Sequence, residues 1–134
     1  VVPYQFKLPA APYVAKENTI IDLEFLQEKK KYLEQFCDLL IIEGAGGLMV
    51  PIEKDLFIID LIKIFEASAI LIAPSKLGCI NDTILSVNVL KEKNIDFELF
   101  INLYQDIESF EKVSKPFLID YFKKLNFLED LENL

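Results

Sequence analysis

Apolar residues in this chain fall into short unbroken runs, separated by stretches in which they recur at helical spacing. The first run is Leu39, Leu40, Ile41 and Ile42. An aliphatic run of this length predicts a strand buried on both faces. Ala69–Ala73, stopped by Pro74, predicts a second buried strand, and Phe97–Ile101, ending at Asn102, a third. Ahead of the first run, Ile20, Leu23, Leu26, Leu33 and Phe36 predict a helix entered at Thr19, with Glu24, Glu28 and Lys29 to Lys31 on its wet face. Thr19 is the expected cap, and Asp22 suits the positive end of the helix. Leu56, Ile59, Leu61, Ile62 and Phe65 predict a second amphipathic helix over Asp55–Glu66. A third runs from near Asn81 to about Lys93, and weaker helical patterning spans Lys112 to Lys124. Val1–Ala15 carries three of the six prolines and reads as extended chain with turns. Leu48–Ile52 reads as a short extended stretch, and Leu125–Leu134 as an acidic, loosely packed end.

Strands alternating with helices imply right-handed crossovers and a parallel sheet, here within one α/β domain spanning residues 1–134. Each predicted strand ends in a polar or glycine-bearing loop: at Glu43, at Lys76–Asn81 and at Asn102. In a parallel sheet such loops open on one edge, where ligands of open α/β sheets bind.

Composition narrows the chemistry. The 134 residues carry a net charge of −8, which argues against a general nucleic-acid or anionic-membrane surface. All 14 basic residues are lysines, with no arginine, histidine or tryptophan. An arginine finger, a catalytic histidine and a histidine-ligated metal are therefore excluded within these residues, leaving lysine, main-chain N–H groups or a hard cation to handle phosphate. Cys37 and Cys79 have neither CxxC spacing nor a disulfide framework and read as reduced thiols of a cytoplasmic protein. No apolar stretch approaches the length of a membrane span.

Three of the four glycines, Gly44, Gly46 and Gly47, follow Glu43 directly. An acid at a strand's carboxyl end can hold a hard cation, and the glycines let an oxyanion approach bare backbone. The plain alternative is a tight turn with an incidental acid. No Lys-Ser or Lys-Thr follows, so this is not a Walker A loop. Lys76-Leu77-Gly78-Cys79-Ile80-Asn81 leads into a helix whose first N–H groups favour an anion, especially a carboxylate. An ordinary cap with Asn81 on its own backbone is the commoner outcome for such a sequence. Asn102 can donate and accept at once, which suits an adenine edge, although strand-terminating turns also use asparagine. Cys79 has no histidine to activate it as a nucleophile.

Taken in order, these pieces resemble the dethiobiotin synthetase family. The resemblance rests on Pro3-Tyr4-Gln5-Phe6 with Pro9-Ala10-Ala11-Pro12, on Glu43-Gly44-Ala45-Gly46-Gly47-Leu48 through Val50-Pro51, on Leu77-Gly78-Cys79-Ile80-Asn81 and on Asn102. It covers Val1 to about Asn102. It implies a three-layer fold of P-loop NTPase type, a parallel sheet flanked by helices. It also implies that Glu43 ligates Mg²⁺ on the phosphates of ATP, that Gly44, Ala45 and Gly46 line the nucleotide, and that Asn102 and Leu103 contact adenine. Asn126, Phe127 and Leu128 would correspond to a base-packing segment. Gly47, Leu77, Gly78, Cys79 and Asn81 would meet diaminopelargonate, with the site at a homodimer interface. The implied reaction is capture of CO₂ by an amine as a carbamate, phosphorylation by ATP and closure to a cyclic urea.

Two departures from the family pattern stand out. Its first strand, Gly-rich phosphate loop, catalytic lysines and an aspartate ligand would lie before Val1, so the chain resembles the carboxyl-terminal two-thirds of the enzyme, expected to be inactive alone. Tyr13 stands where the family often has histidine. A related amidoligase, which shares the acid-glycine corner, and a non-enzymatic ATPase-like partner domain are the competing readings.

Overall fold

In a computed structural model, residues 1–133 are described, and they divide into two compact units, residues 1–67 and the residues from Ser68 onward. Each is built from its own local logic.

The amino-terminal unit holds α1 (Pro12–Ala15), α2 (Leu23–Leu33), β1 (Pro51–Glu53), β2 (Leu56–Phe57) and α3 (Ile58–Ile64). The helical periodicity is borne out in α2, but its cap is Asp22 and not Thr19. The Asp22 carboxylate accepts from the N–H groups of Glu24 (2.9 Å) and Phe25 (3.2 Å). A carboxylate at this position also complements the helix dipole, which a threonine hydroxyl does not. The Tyr4 hydroxyl accepts from the Asp22 N–H at 2.9 Å, and its ring packs edge-on to Phe25. The second predicted helix is shorter than its pattern: Leu56 and Phe57 pair antiparallel with β1 before the chain turns into α3. The first donors of α3 bond backwards, Ile58 N–H to Val50 C=O (3.0 Å) and Ile59 N–H to Leu48 C=O (2.9 Å). At its far end Gln27 Nε2 donates to the Ile64 carbonyl at 3.0 Å. Ala15, Ile52, Ile59 and Phe65 are the buried apolar residues of this unit.

Leu39–Ile42 is the clearest correction. Among the described residues it pairs with no strand, and Leu39 and Ile41 are 77% and 83% exposed. A strand is stabilised by neighbours that take its N–H and C=O groups, so an aliphatic run alone dictates extended chain and no more.

The carboxyl-terminal unit is a three-stranded parallel sheet in the order β3 (Ala69–Pro74), β4 (Phe97–Asn102), β5 (Asn126–Phe127). Helix α4 (Cys79–Glu92) joins β3 to β4. The second crossover consists of α5 (Ile107–Ser109), a π-helical turn over Phe110–Ser114 and α6 (Lys115–Phe122). That helical stretch starts earlier than the sequence pattern does. Register pairs Ala69 with Phe97 and Pro74 with Asn102. Ala73 and Ile101 share one face of the sheet, where Cys79, Phe110 and Leu118 from the two crossovers pack against them. The predicted double-sided burial of the second strand does not hold: Ile70 and Ile72, on the opposite face, are 60% and 52% exposed, because both crossovers pack on the Ala73 side. The end is loosely packed only in part, residues 125–128 being half-buried and 129–131 exposed. Asn126 and Phe127 pair with Phe100 and Ile101, and a 3₁₀ turn follows from Leu128. A two-residue strand carries too few positions to show any period. Leu134 lies outside the described residues.

Candidate functional site

The amino-terminal unit contributes the acid-glycine corner. Glu43 to Gly47 are exposed loop residues. Gly44 lies so close to the start of α3 that a Cβ in its place would stand 2.7 Å from Ile58 Cγ2. The chain is thus held against α3 while the Glu43 carboxylate faces solvent. A solvated carboxylate beside bare main chain fits a Mg²⁺ ion that keeps most of its water shell. Among the described residues no group of three or more His, Cys, Asp or Glu converges to hold a metal, so Glu43 belongs to no complete protein cage for an ion there.

The carboxyl-terminal unit places the other predicted residues at the carboxyl ends of its strands. Asn102 closes β4 and Leu103 turns in to pack on the core. Asn126, Phe127 and Leu128 come alongside through the pairing of β5 with β4, so these five residues share one sheet end. Asn126 Nδ2 is turned to the Leu99 carbonyl at 3.4 Å, while the Phe127 ring packs on the core with Lys115 Nζ 5.3 Å from its centroid.

The loop after β3 carries the second group. Gly78 is the N-cap of α4 with φ of 93°, a left-handed conformation that a Cβ would strain. The Cys79 N–H donates to Lys76 C=O at 3.1 Å, and the N–H groups of Ile80 and Asn81 have no intrahelical acceptor, as at any helix start. Leu77 is 83% exposed, and the Asn81 amide donates to Asp82 Oδ1 at 3.2 Å. The Cys79 side chain is fully buried in the core, so contact with a ligand here would fall to main chain and to Leu77 and Asn81. Beside this helix start lies an apolar groove between α4 and the π-helical turn, lined by Leu77, Ile80, Ile84, Leu85 and Val113.

One pair was not foreseen. Ser75, directly after β3, is buried and hydrogen-bonds to the main chain of Gln105, beyond β4. The only signal in the sequence is a small hydroxyl residue following Pro74 at a strand end, too common to single out.

Comparison with known proteins decides the family. A family model described as an AAA domain matches residues 1–133. The ATP-dependent dethiobiotin synthetase of Sulfurovum is 51% identical over 87% of this chain, and that of Wolinella succinogenes is 37% identical over 97%. The corresponding Methanocaldococcus jannaschii protein is 35% identical over 97% of the chain. The chain belongs to the dethiobiotin synthetase family. It spans 56%, 62% and 67% of the lengths of those three relatives, respectively. For a dethiobiotin synthetase family member the parallel α/β sheet with helical crossovers is the expected frame, and β3, α4 and β4 supply it here. Among the described residues no helix is long and apolar enough to cross a membrane.

Proposed function

We propose that this chain forms the carboxyl-terminal part of an ATP- and Mg²⁺-dependent dethiobiotin synthetase, acting in the cytoplasm on 7,8-diaminopelargonate and CO₂. The observation that carries the reading is the gathering of Asn102, Leu103 and residues 126–128 at the same end of the sheet from which the Leu77–Asn81 loop leaves, in a chain whose relatives bear that enzyme's name. A base edge and a carboxylate tail need such neighbouring strand ends, one offering amide groups and the other helix N–H groups.

In this reading one amine of the diamine takes up CO₂ as a carbamate, the carbamate oxygen receives the γ-phosphoryl group, and the second amine closes the ring as phosphate leaves. ADP and phosphate are the co-products. Carbamate and triphosphate repel each other, so positioning and charge control supply most of the acceleration. Glu43 would hold Mg²⁺, which would offset the triphosphate charge. Gly44, Ala45 and Gly46 admit the phosphates, and Gly47 faces the substrate side. Asn102 and Leu103 receive adenine, with Asn126, Phe127 and Leu128 beside it. Leu77, Gly78, Cys79 and Asn81 meet the diamine's carboxylate tail at the start of α4. The exposed apolar groove of Leu77, Leu85 and Val113 suits a second subunit, which supports a homodimer with the site at its interface. In this reading the catalytic lysines and phosphate loop would be supplied by a segment outside residues 1–134.

The test is dethiobiotin formation by the full-length protein supplied with ATP, Mg²⁺, bicarbonate and diaminopelargonate, with residues 1–134 alone as the comparison. Product from the full-length protein and none from the shorter chain is the expected result. No product from the full-length protein overturns the reading, and turnover by residues 1–134 overturns the assignment of the lysines to an upstream segment.

A further inference from the structure

Register between β3 and β4 ends at Pro74 and Asn102. Pro74 has no N–H, so main chain alone is poorly equipped to prolong the ladder there. The next residue takes over. Ser75, 1% exposed, donates its hydroxyl proton to the Gln105 carbonyl and accepts the Gln105 N–H at 3.4 Å. One side chain thereby holds both polar groups of a single residue 30 positions away. On its own side Ser75 begins the loop Lys76–Gly78 that sets the start of α4. On the other side Gln105 ends the loop that leaves Asn102 and Leu103.

We propose that Ser75 is a positioning residue that ties the loop preceding α4 to the loop following β4 through Gln105, so that one buried hydroxyl sets the placement of both substrate-contacting segments. This rests on the reading above, in which the first loop serves the diamine's carboxylate and the second adenine. Ser75 touches neither ligand and acts through the two loops. A hydroxyl that is buried and doubly engaged cannot be removed without leaving the Gln105 N–H and C=O to find other partners, which loosens both loops together.

The experiment is steady-state kinetics of full-length S75A, with KM determined separately for ATP and for diaminopelargonate. Loss of the clamp is expected to raise both KM values, each about fivefold, with kcat changed less than about twofold. A purely structural role would lower the folded fraction, hence kcat, and leave both KM values where they were. Unchanged KM values overturn the proposal whatever happens to kcat, and so does a rise in only one of them. Should S75A fail to fold, S75C, slightly bulkier and with a weaker donor, is judged by the same two KM values. Wild-type protein that makes no dethiobiotin removes both this proposal and the enzyme assignment, whereas active wild type with unaltered KM values in the variant removes only the role of Ser75.

Discussion

Gly44 sits against the first residue of α3, with only 2.7 Å between the place a Cβ would occupy and Ile58 Cγ2. The neighbour is a methyl on a β-branched carbon, whose torsion is stiff and which cannot swing aside cheaply. Gly44→Ala should therefore destabilise the fold by about 1–3 kcal/mol, the usual range for overpacking. Gly47 has open space at the same position, so Gly47→Ala should leave thermal unfolding unchanged. Melting curves of the two variants check the contrast.

Glu43 is the exposed acid beside that contact. Glu43→Gln keeps size and hydrogen-bonding capacity but removes the charge a hard cation requires. In the full-length protein it is expected to raise the Mg²⁺ concentration needed for half-maximal activity by at least about tenfold, one charge-assisted contact being worth roughly 1.5–3 kcal/mol. Its melting temperature should match wild type. Unchanged Mg²⁺ dependence would remove Glu43 from the metal site.

The two thiols differ in access, Cys37 being exposed and Cys79 buried. A thiol reagent added to native protein should label Cys37 promptly and Cys79 only on unfolding. Cys79→Ser should destabilise by about 1–3 kcal/mol, since a hydroxyl then replaces the thiol among Ala73, Ile101, Phe110 and Leu118. Mass spectrometry of labelled peptides and urea titrations give the two readouts.

Thr83, inside α4, presents the opposite case. Among the described residues its buried Oγ1 has no hydrogen-bonding partner. Thr83→Val keeps the shape and removes an unsatisfied group, so it should stabilise by about 1 kcal/mol. A lower melting temperature for this variant would show that the hydroxyl has a partner in solution.

These cases show where the sequence was legible. Helix α4 and strands β3 and β4 were readable because their patterns are long and end in strong punctuation, at Pro74, Gly78 and Asn102. The same loops carry Leu77–Asn81 and Asn102, so much of the candidate site came with them. What escaped depended on partners distant along the chain. Asp22 outcompetes Thr19 as a cap through geometry that spacing cannot resolve, β5 is defined only by Phe100 and Ile101 beside it, and the Ser75 clamp spans 30 residues. Leu39–Ile42 was misread because aliphatic composition encodes a preference for extended chain, whereas a strand needs a neighbour.

That last stretch has a consequence for handling the chain. Four consecutive aliphatic residues, free of proline and glycine, with Leu39, Ile41 and Ile42 exposed and Leu40 half-buried, form a template on which another chain can add by main-chain pairing. Asp38 and Glu43 bracket it with negative charge at both ends, the arrangement by which sequences discourage self-association of an unavoidable sticky segment. Colloidal behaviour should accordingly track salt more than temperature: conditions that screen those two carboxylates weaken the repulsion between copies and leave Leu39–Ile42 to seed aggregation.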